Sequence, residues 1–243
     1  MTRLRQMASA AMLTLLLSGP QAQAQTTDNG TFDLKIRGIT AGVLAFSGTV
    51  NGRGYAVAGK LESTGIIAAI RKVRYDAKAH GSISGSNFTP TRYEEKANTG
   101  KRVSESVMEY RSGVPQVKTY SPAREPRTGD VDPATQKGTV DPLTALYAML
   151  RDVPADQACT FSVFMFDGQR RSQIQLGSAN PSGDTITCAG EYRRLQGFSD
   201  KEMAEKQRFA FTLTYRPAAT AGMVRVTEVA MDSLYGRAAL TRR

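Results

Sequence analysis

Alternation of apolar and polar side chains is the main pattern of this chain. Residues 209–215 carry Phe, Phe, Leu and Tyr at the odd positions and Ala or Thr at the even ones. A period of two predicts a strand with one buried face. Similar strands are predicted at 32–36, 43–50, 55–61, 66–75, 88–96, 102–110, 117–120, 161–166, 171–176, 185–193, 224–231 and 234–240.

One segment follows a helical period instead. Asp141 can cap a helix and Pro142 suits its first position. An apolar stripe follows at spacings i, i+3, i+4 and i+7, formed by Leu143, Leu146, Tyr147 and Leu150. Pro154 ends this helix, and residues 199–207 are predicted to form a second, short one.

The order of these elements predicts a mainly β protein. About ten strands joined by hairpins, with turn signals such as Asn51-Gly52 and Asp167-Gly168, form an antiparallel sheet that must curl. The helix must bury its apolar stripe against that sheet. We therefore expect an open half-barrel or β-spiral around one central α-helix, with a groove wherever the helix leaves the curve unfilled. Residues 121–140 form a Pro- and Gly-containing loop that is too long for a simple connection.

The N-terminus has the features of an export signal. Arg3 and Arg5 precede a short apolar run, and Ala22-Gln23-Ala24 fits the small-x-small pattern of signal peptidase sites. We expect cleavage after Ala24, a single domain at 25–243, and a periplasmic location.

Charge narrows the choice of partners. The chain has a formal charge of +10, and loss of Arg3 and Arg5 leaves 30 basic against 22 acidic residues, or +8. Export excludes nucleic acid as a partner. Anionic lipid headgroups and acidic polymers of the envelope remain as possible partners. The alternative is that the excess positive charge is only part of the solvated surface.

Cys159 and Cys188 are the two cysteines of the chain. In an oxidising compartment such a pair usually bonds, and the loop-closure model gives about 3.5 kcal/mol for a loop of this length. A redox role is the alternative, but the C-x-x-C spacing is absent.

Catalytic and metal chemistry find little support in the sequence. The single histidine, His80, lies in a turn-like stretch without a nucleophile motif nearby. Asp130, Asp132 and Asp141 lack the spacing of an EF-hand, and turn or capping roles account for them. We expect no enzyme, no metal and no cofactor.

Arg170 and Arg171 follow the turn at Asp167 and are candidate contacts for an anion at the rim of the groove. On a strand the two side chains would point to opposite faces. Pairing of one of them with an acid, such as Asp167, is the structural alternative.

Several motifs together resemble a known family: Phe32-Asp33-Leu34, Gly42-Val43-Leu44, Gly54-Tyr55-Ala56-Val57, Gly138 to Ala145, Phe166 to Arg171, and Cys188-Ala189-Gly190-Glu191-Tyr192. They are similar to exported envelope proteins of Gram-negative bacteria that form a domain family of unknown function. The resemblance implies a spiralled β half-barrel around a helix, similar in shape to lipoprotein carriers and to an envelope-integrity periplasmic protein. It implies no catalytic residues.

The leading hypothesis is a non-enzymatic periplasmic protein that binds a lipid, acyl chain or peptide in the concavity and supports the envelope. Candidate groove residues are Leu146, Tyr147, Leu150, Phe164 and Phe211. One alternative is a structural module that binds a protein partner through the long loop or a sheet edge. Another is a hydrolase with an unfamiliar site.

Overall fold

The protein is a single curled antiparallel sheet with few helices. The computed structural model describes residues 25–243 apart from 124, 126 and 128, so the predicted export signal lies outside the described residues. The strands are β1 Thr26–Ile36, β2 Ile39–Asn51, β3 Gly54–Ser63, β4 Arg74–Ser84, β5 Asn87–Asn98, β6 Val103–Arg111, β7 Val114–Ser121, β8 Val153–Pro154, β9 Ser162–Phe166, β10 Arg171–Ser182, β11 Thr185–Gln196, β12 Arg208–Pro217, β13 Met223–Ser233 and β14 Gly236–Arg242.

Thirteen of these strands pair in the order β7-β6-β5-β4-β3-β2-β1-β14-β13-β12-β11-β10-β9, and the short β8 pairs with β13. Strands β7 and β9 are the two ends of the path, so the sheet does not close into a barrel. Part of the long loop lies between these ends. Val140 pairs with Met165 of β9 in a parallel bridge, and the Gly138 amide donates to the Gly113 carbonyl next to β7.

In the part of the chain that the structure describes, three α-helices accompany the sheet: α1 Gly65–Ile70, α2 Pro142–Leu150 and α3 Asp200–Glu205. Single 3-10 turns occur at Pro133–Thr135 and Ala155–Gln157. The start of α2 is as predicted, because the Asp141 carboxylate accepts a hydrogen bond of 2.8 Å from the Thr144 amide. Ser199 and Glu202 form a capping box at α3. Within the described residues, no helix is long and apolar enough to cross a membrane.

Glycines on the concave face of the sheet provide the seat of α2. A methyl group at Gly48 would overlap the Tyr147 ring, and one at Gly59 would overlap Leu143. The strand backbone thus comes close to the apolar stripe of the helix, which buries Tyr147 and Leu150 almost completely. The Tyr147 ring meets Phe46 edge-on at 5.8 Å and Phe88 at 5.9 Å. The single helix inside the curve is therefore part of the main core.

Arg242 ties the last strand to this core. Its guanidinium donates to the carbonyls of Asn29 at 2.8 Å, Val226 at 2.9 Å and Leu150 at 3.2 Å. It also lies 4.9 Å from the centre of the Phe32 ring. A cation near the last carbonyls of a helix is favourable, so the C-terminal end of the chain helps to hold α2 in the concavity.

Two predictions of secondary structure are wrong. Residues 66–75 do not form one strand, because Gly65 has a positive φ of 56° and the following Ile-Ile-Ala-Ala-Ile run forms α1 before β4 begins. His80 lies within β4, paired with Ala56 and Arg92, and not in a turn. Cys159 lies in the turn before β9, and β10 separates β9 from β11, the strand of Cys188.

Candidate ligand cavity

A cavity of about 400 Å³ opens beside α2 at one end of the sheet. This is the end that carries the turns at 52–53, 85–86 and 112–113, and we call it the cavity end. The wall has three parts: the β4–β5 hairpin, the segment 138–140, and the segment 157–164 before and within β9. Its volume falls in the range of small-molecule sites.

A second face of α2, beside the apolar stripe, lines this cavity. It presents Thr144, Ala148 and, immediately after the helix, Arg151. These positions follow the spacing i, i+4 and i+7, so they lie along one side of the helix. The remaining wall is mixed in polarity. Its apolar part comes from Phe88, Val140, Val153, Phe161, Val163 and Phe164, and polar side chains such as Gln157, Thr160 and Ser162 contribute nearly as much of its surface. The cavity therefore combines a partly apolar interior with one cationic side chain.

Arg151 is the charged residue of the cavity wall, and it has no ion pair within the part of the chain that the structure describes. Its guanidinium carbon lies 5.4 Å from the centre of the Phe88 ring. Its Nε is buried and has no hydrogen-bond partner. Burial raises the pKa of the neighbouring Tyr215 to about 12, and the charge of Arg151 opposes that rise. The Nε–H group is therefore a buried donor without an acceptor in the part of the chain that the structure describes.

A buried polar cluster supports the N-terminal half of α2. The Thr144 hydroxyl donates to the Asp141 carboxylate at 2.7 Å and is 2.8 Å from the Tyr55 hydroxyl. Asp141 is fully buried, and this burial raises the pKa of its carboxyl to about 6, although the hydrogen bonds from Thr144 act in the opposite direction. The buried Tyr110 hydroxyl has no partner in the described structure. Burial also raises the pKa of Tyr55 and Tyr110.

Asp141 predicts a pH dependence of stability. The folded chain holds this proton up to about pH 6, whereas the ordinary pKa of the carboxyl is 3.8. Between these values the folded state binds more protons than the unfolded state, so this group's contribution to the free energy of unfolding falls as the pH rises. The Asp141→Asn variant keeps a capping oxygen but has no carboxyl to titrate. Its free energy of unfolding in urea, relative to that of the wild type, should therefore increase as the pH rises from 4 to 7. A difference that is constant with pH would contradict this assignment.

Ion pairs fix the segment that follows Arg151. Asp152 binds Arg225 with two hydrogen bonds of 2.7 and 2.9 Å, and its amide donates to the Asp28 carboxylate. Val153 then pairs with Val224 of β13. Arg151 therefore projects from a fixed backbone at the end of α2.

The predicted disulfide is confirmed and holds the other side of the same wall. Cys159 and Cys188 are bonded, with their Cα atoms 5.4 Å apart. Cys159 stands between Gln157 and Thr160, which both line the cavity. The bond thus anchors the segment 157–164 to β11.

The structure assigns the predicted groove residues to two different places. Phe164 lines the cavity and is 40% exposed. Tyr147, Leu150 and Phe211 belong to the hydrophobic core, Leu146 is partly buried and packs against it, and none of these four residues lines the cavity. Close approach to Gly48 and Gly190 lets Tyr147 and Phe211 fill the concavity.

Arg170 and Arg171 do not converge on an anion site. Arg170 pairs with Glu202 at 3.2 Å, and Arg171 donates to the Gln136 side chain at 3.1 Å. Arg171 also lies 4.5 Å from the centre of the Phe164 ring. The Asp167 carboxylate accepts from the amides of Gln169 and Arg170 and so closes the turn. These contacts correspond to the structural alternative.

Outside this cavity, the described residues include the single histidine and one further depression. His80 is exposed on β4. In residues 25–243, apart from the three undescribed positions, no group of three or more His, Cys, Asp or Glu side chains could hold a metal ion. A depression of about 440 Å³ lies on strands β2 to β5. Lys60 and Lys96 in its lining pair with Glu62 and Glu105.

The fold and the cavity define a class of protein: an open, curled antiparallel β-sheet with one helix in its concavity and a ligand-sized cavity at one end. The chain belongs to a family of proteins of unknown function, DUF3108, whose model matches residues 31–196. No curated protein matches it. Among solved structures it is similar to a β-barrel-like protein of the DUF1849 domain of unknown function from Brucella abortus. The two are 12% identical with a TM-score of 0.47, and the match covers 89% of this chain and 95% of that one.

Proposed function

We propose that this protein binds an amphiphile with an anionic head group, such as a fatty acid, in the cavity beside α2, and that it acts by binding and not by catalysis. The observation that supports this proposal is Arg151. Its side chain lines the cavity, and its buried Nε has no hydrogen-bond partner among the described residues. Phe88, Phe161 and Phe164 make part of the same wall apolar, which suits a carboxylate or phosphate joined to an acyl chain.

The proposal places this binding in the periplasm, where a lipid-binding protein would support the cell envelope. The export signal predicted from residues 1–24 supports that location. The disulfide also supports it, because such bonds persist in oxidising compartments.

The test uses dodecanoate and its uncharged analogue dodecanol as probes of the full-length mature chain. We expect calorimetry to show dodecanoate binding that weakens at least about tenfold in Arg151→Gln, because a charge-assisted hydrogen bond is lost. Dodecanol affinity should change little. Arg53→Gln is the matched control, since Arg53 is exposed in the turn 52–53 at the same end and does not line the cavity.

Two outcomes would overturn the proposal. One is a wild-type chain that binds neither probe. The other is an Arg151→Gln variant with unchanged dodecanoate affinity. In the first case, the partner-binding alternative would gain support from a protein crosslinked in cells through β7, an end strand of the sheet path with an unpaired edge.

A further inference from the structure

The end of the sheet opposite to the cavity carries a second, separate feature. Four connections lie next to one another there: residues 36–40, 63–73, 98–103 and 233–237. We call these four segments the distal rim. They join β1 to β2, β3 to β4, β5 to β6, and β13 to β14.

Exposed large apolar side chains are concentrated on the distal rim. The described residues include seven exposed large hydrophobic side chains, and six of them are on this rim. Ile70 and Tyr235 are the most exposed, at 80% and 73%. The other four are Ile39, Ile66, Val103 and Leu234. Each of the four connections contributes at least one of them, and such clustering marks an interaction surface.

The charge of these four segments has one sign, whereas the β11–β12 connection beside them at the same end carries Asp200, Glu202 and Glu205. The four segments contain six basic residues and no Asp or Glu, the basic residues being Arg37, Arg71, Lys72, Lys101, Arg102 and Arg237. Within the described chain, none of the six forms an ion pair. Several basic residues on the walls of the sheet do have acidic partners: Lys60, Arg92 and Lys96 each have one within 2.8 Å.

Hydrogen bonds join the four connections into one surface. Arg37 donates through Nε to the Tyr235 carbonyl at 2.7 Å. The Thr64 amide donates to the Ala41 carbonyl at 3.1 Å. Arg71 donates through Nε to the Thr99 carbonyl at 2.6 Å. These hydrogen bonds hold the backbone of the rim together, while its large apolar side chains remain exposed to solvent.

We infer that the distal rim docks on the surface of an anionic lipid bilayer. Unpaired Arg and Lys side chains complement acidic headgroups, and the apolar side chains between them can enter the boundary between headgroups and acyl chains. A bilayer also accepts apolar side chains that protrude from several separate turns. Arg151 lies at the opposite end of the strands, so this contact leaves the cavity away from the membrane. The inference does not depend on a ligand in the cavity.

The chain contains no tryptophan, which permits a direct test of insertion. Tyr235→Trp places one reporter on the distal rim, and Arg53→Trp places a control reporter in the exposed turn 52–53 at the cavity end, outside the cavity lining. With vesicles of phosphatidylcholine and phosphatidylglycerol, the emission of Tyr235→Trp should shift to the blue and be quenched by brominated lipid. The emission of Arg53→Trp should stay unchanged, as should both emissions with pure phosphatidylcholine.

Binding should depend on both components of the rim. Vesicle flotation should show at least about tenfold weaker binding for Arg71→Gln/Lys72→Gln, because each basic residue near an anionic surface contributes to the attraction. Ile70→Ser should also weaken binding. Arg53→Gln/Lys78→Gln, which removes the same charge from exposed positions elsewhere, should retain most of it. Three results would each overturn the inference. The two charge variants could lose vesicle binding equally, or Ile70→Ser could bind vesicles as the wild type does. The third is a wild-type chain that crosslinks to a protein but does not bind the vesicles.

Discussion

Replacing Tyr147 with alanine is expected to lower the free energy of unfolding by about 3–5 kcal/mol, the range of large-to-small changes of buried aromatic residues. The side chain is 1% exposed and packs on Gly48, with Phe46 and Phe88 at its sides. Alanine would leave a void between α2 and the sheet, which a close-packed core fills only in part. Urea unfolding followed by circular dichroism measures the loss.

Two further variants separate packing from ligand contact at this position. Tyr147→Phe keeps the ring and should retain most of the stability. Gly48→Ala should destabilise by about 1–3 kcal/mol because its methyl group overlaps the same ring. Gly177→Ala is the matched control, since its Cβ would meet nothing within 4 Å. If Tyr147→Ala unfolds like the wild type but loses dodecanoate binding, Tyr147 is a groove residue and not part of the core.

The sequence predicts the fold well where a pattern is local. Strict alternation identifies β12, whose odd residues Phe209 to Tyr215 are all buried. The cap at Asp141 identifies the start of α2. Strand ends are harder to predict because neighbouring strands decide them. Residues 26–31 have little apolar alternation of their own, yet they extend β1 through pairing with β2.

The site is less predictable than the fold, for a similar reason. The apolar stripe of α2 is obvious in the sequence, and it predicts Tyr147 and Leu150 as groove residues. Both side chains are instead buried in the core. The cavity uses the other face, where Thr144 and Ala148 are small and Arg151 follows the helix. That spacing is visible in the sequence. Only the fold shows that this face meets the β4–β5 hairpin and the turn before β9.

Loss of the disulfide is the second large effect that we expect. The double variant Cys159→Ser/Cys188→Ala should lose about 3.5 kcal/mol of unfolding free energy on the loop-closure model. Alanine is chosen at position 188 because Cys188 is fully buried, and a serine hydroxyl there would lack a partner. Serine is chosen at position 159 because that residue has a positive φ of 64°, and serine meets the same backbone restriction as cysteine.

The same variant should loosen one wall of the cavity while the rest of the fold persists. Residues 155–161 connect β8 to β9, and the bond to β11 is the covalent anchor of this segment. Amide hydrogen exchange should therefore accelerate at 155–161 more than in β2 or β3, which pair along their whole length. Reduction of the wild type should reproduce the change, and the same reductant should leave the double variant unaltered. Uniform acceleration over all strands would instead show that the bond stabilises the sheet as a whole and has no particular role at the cavity.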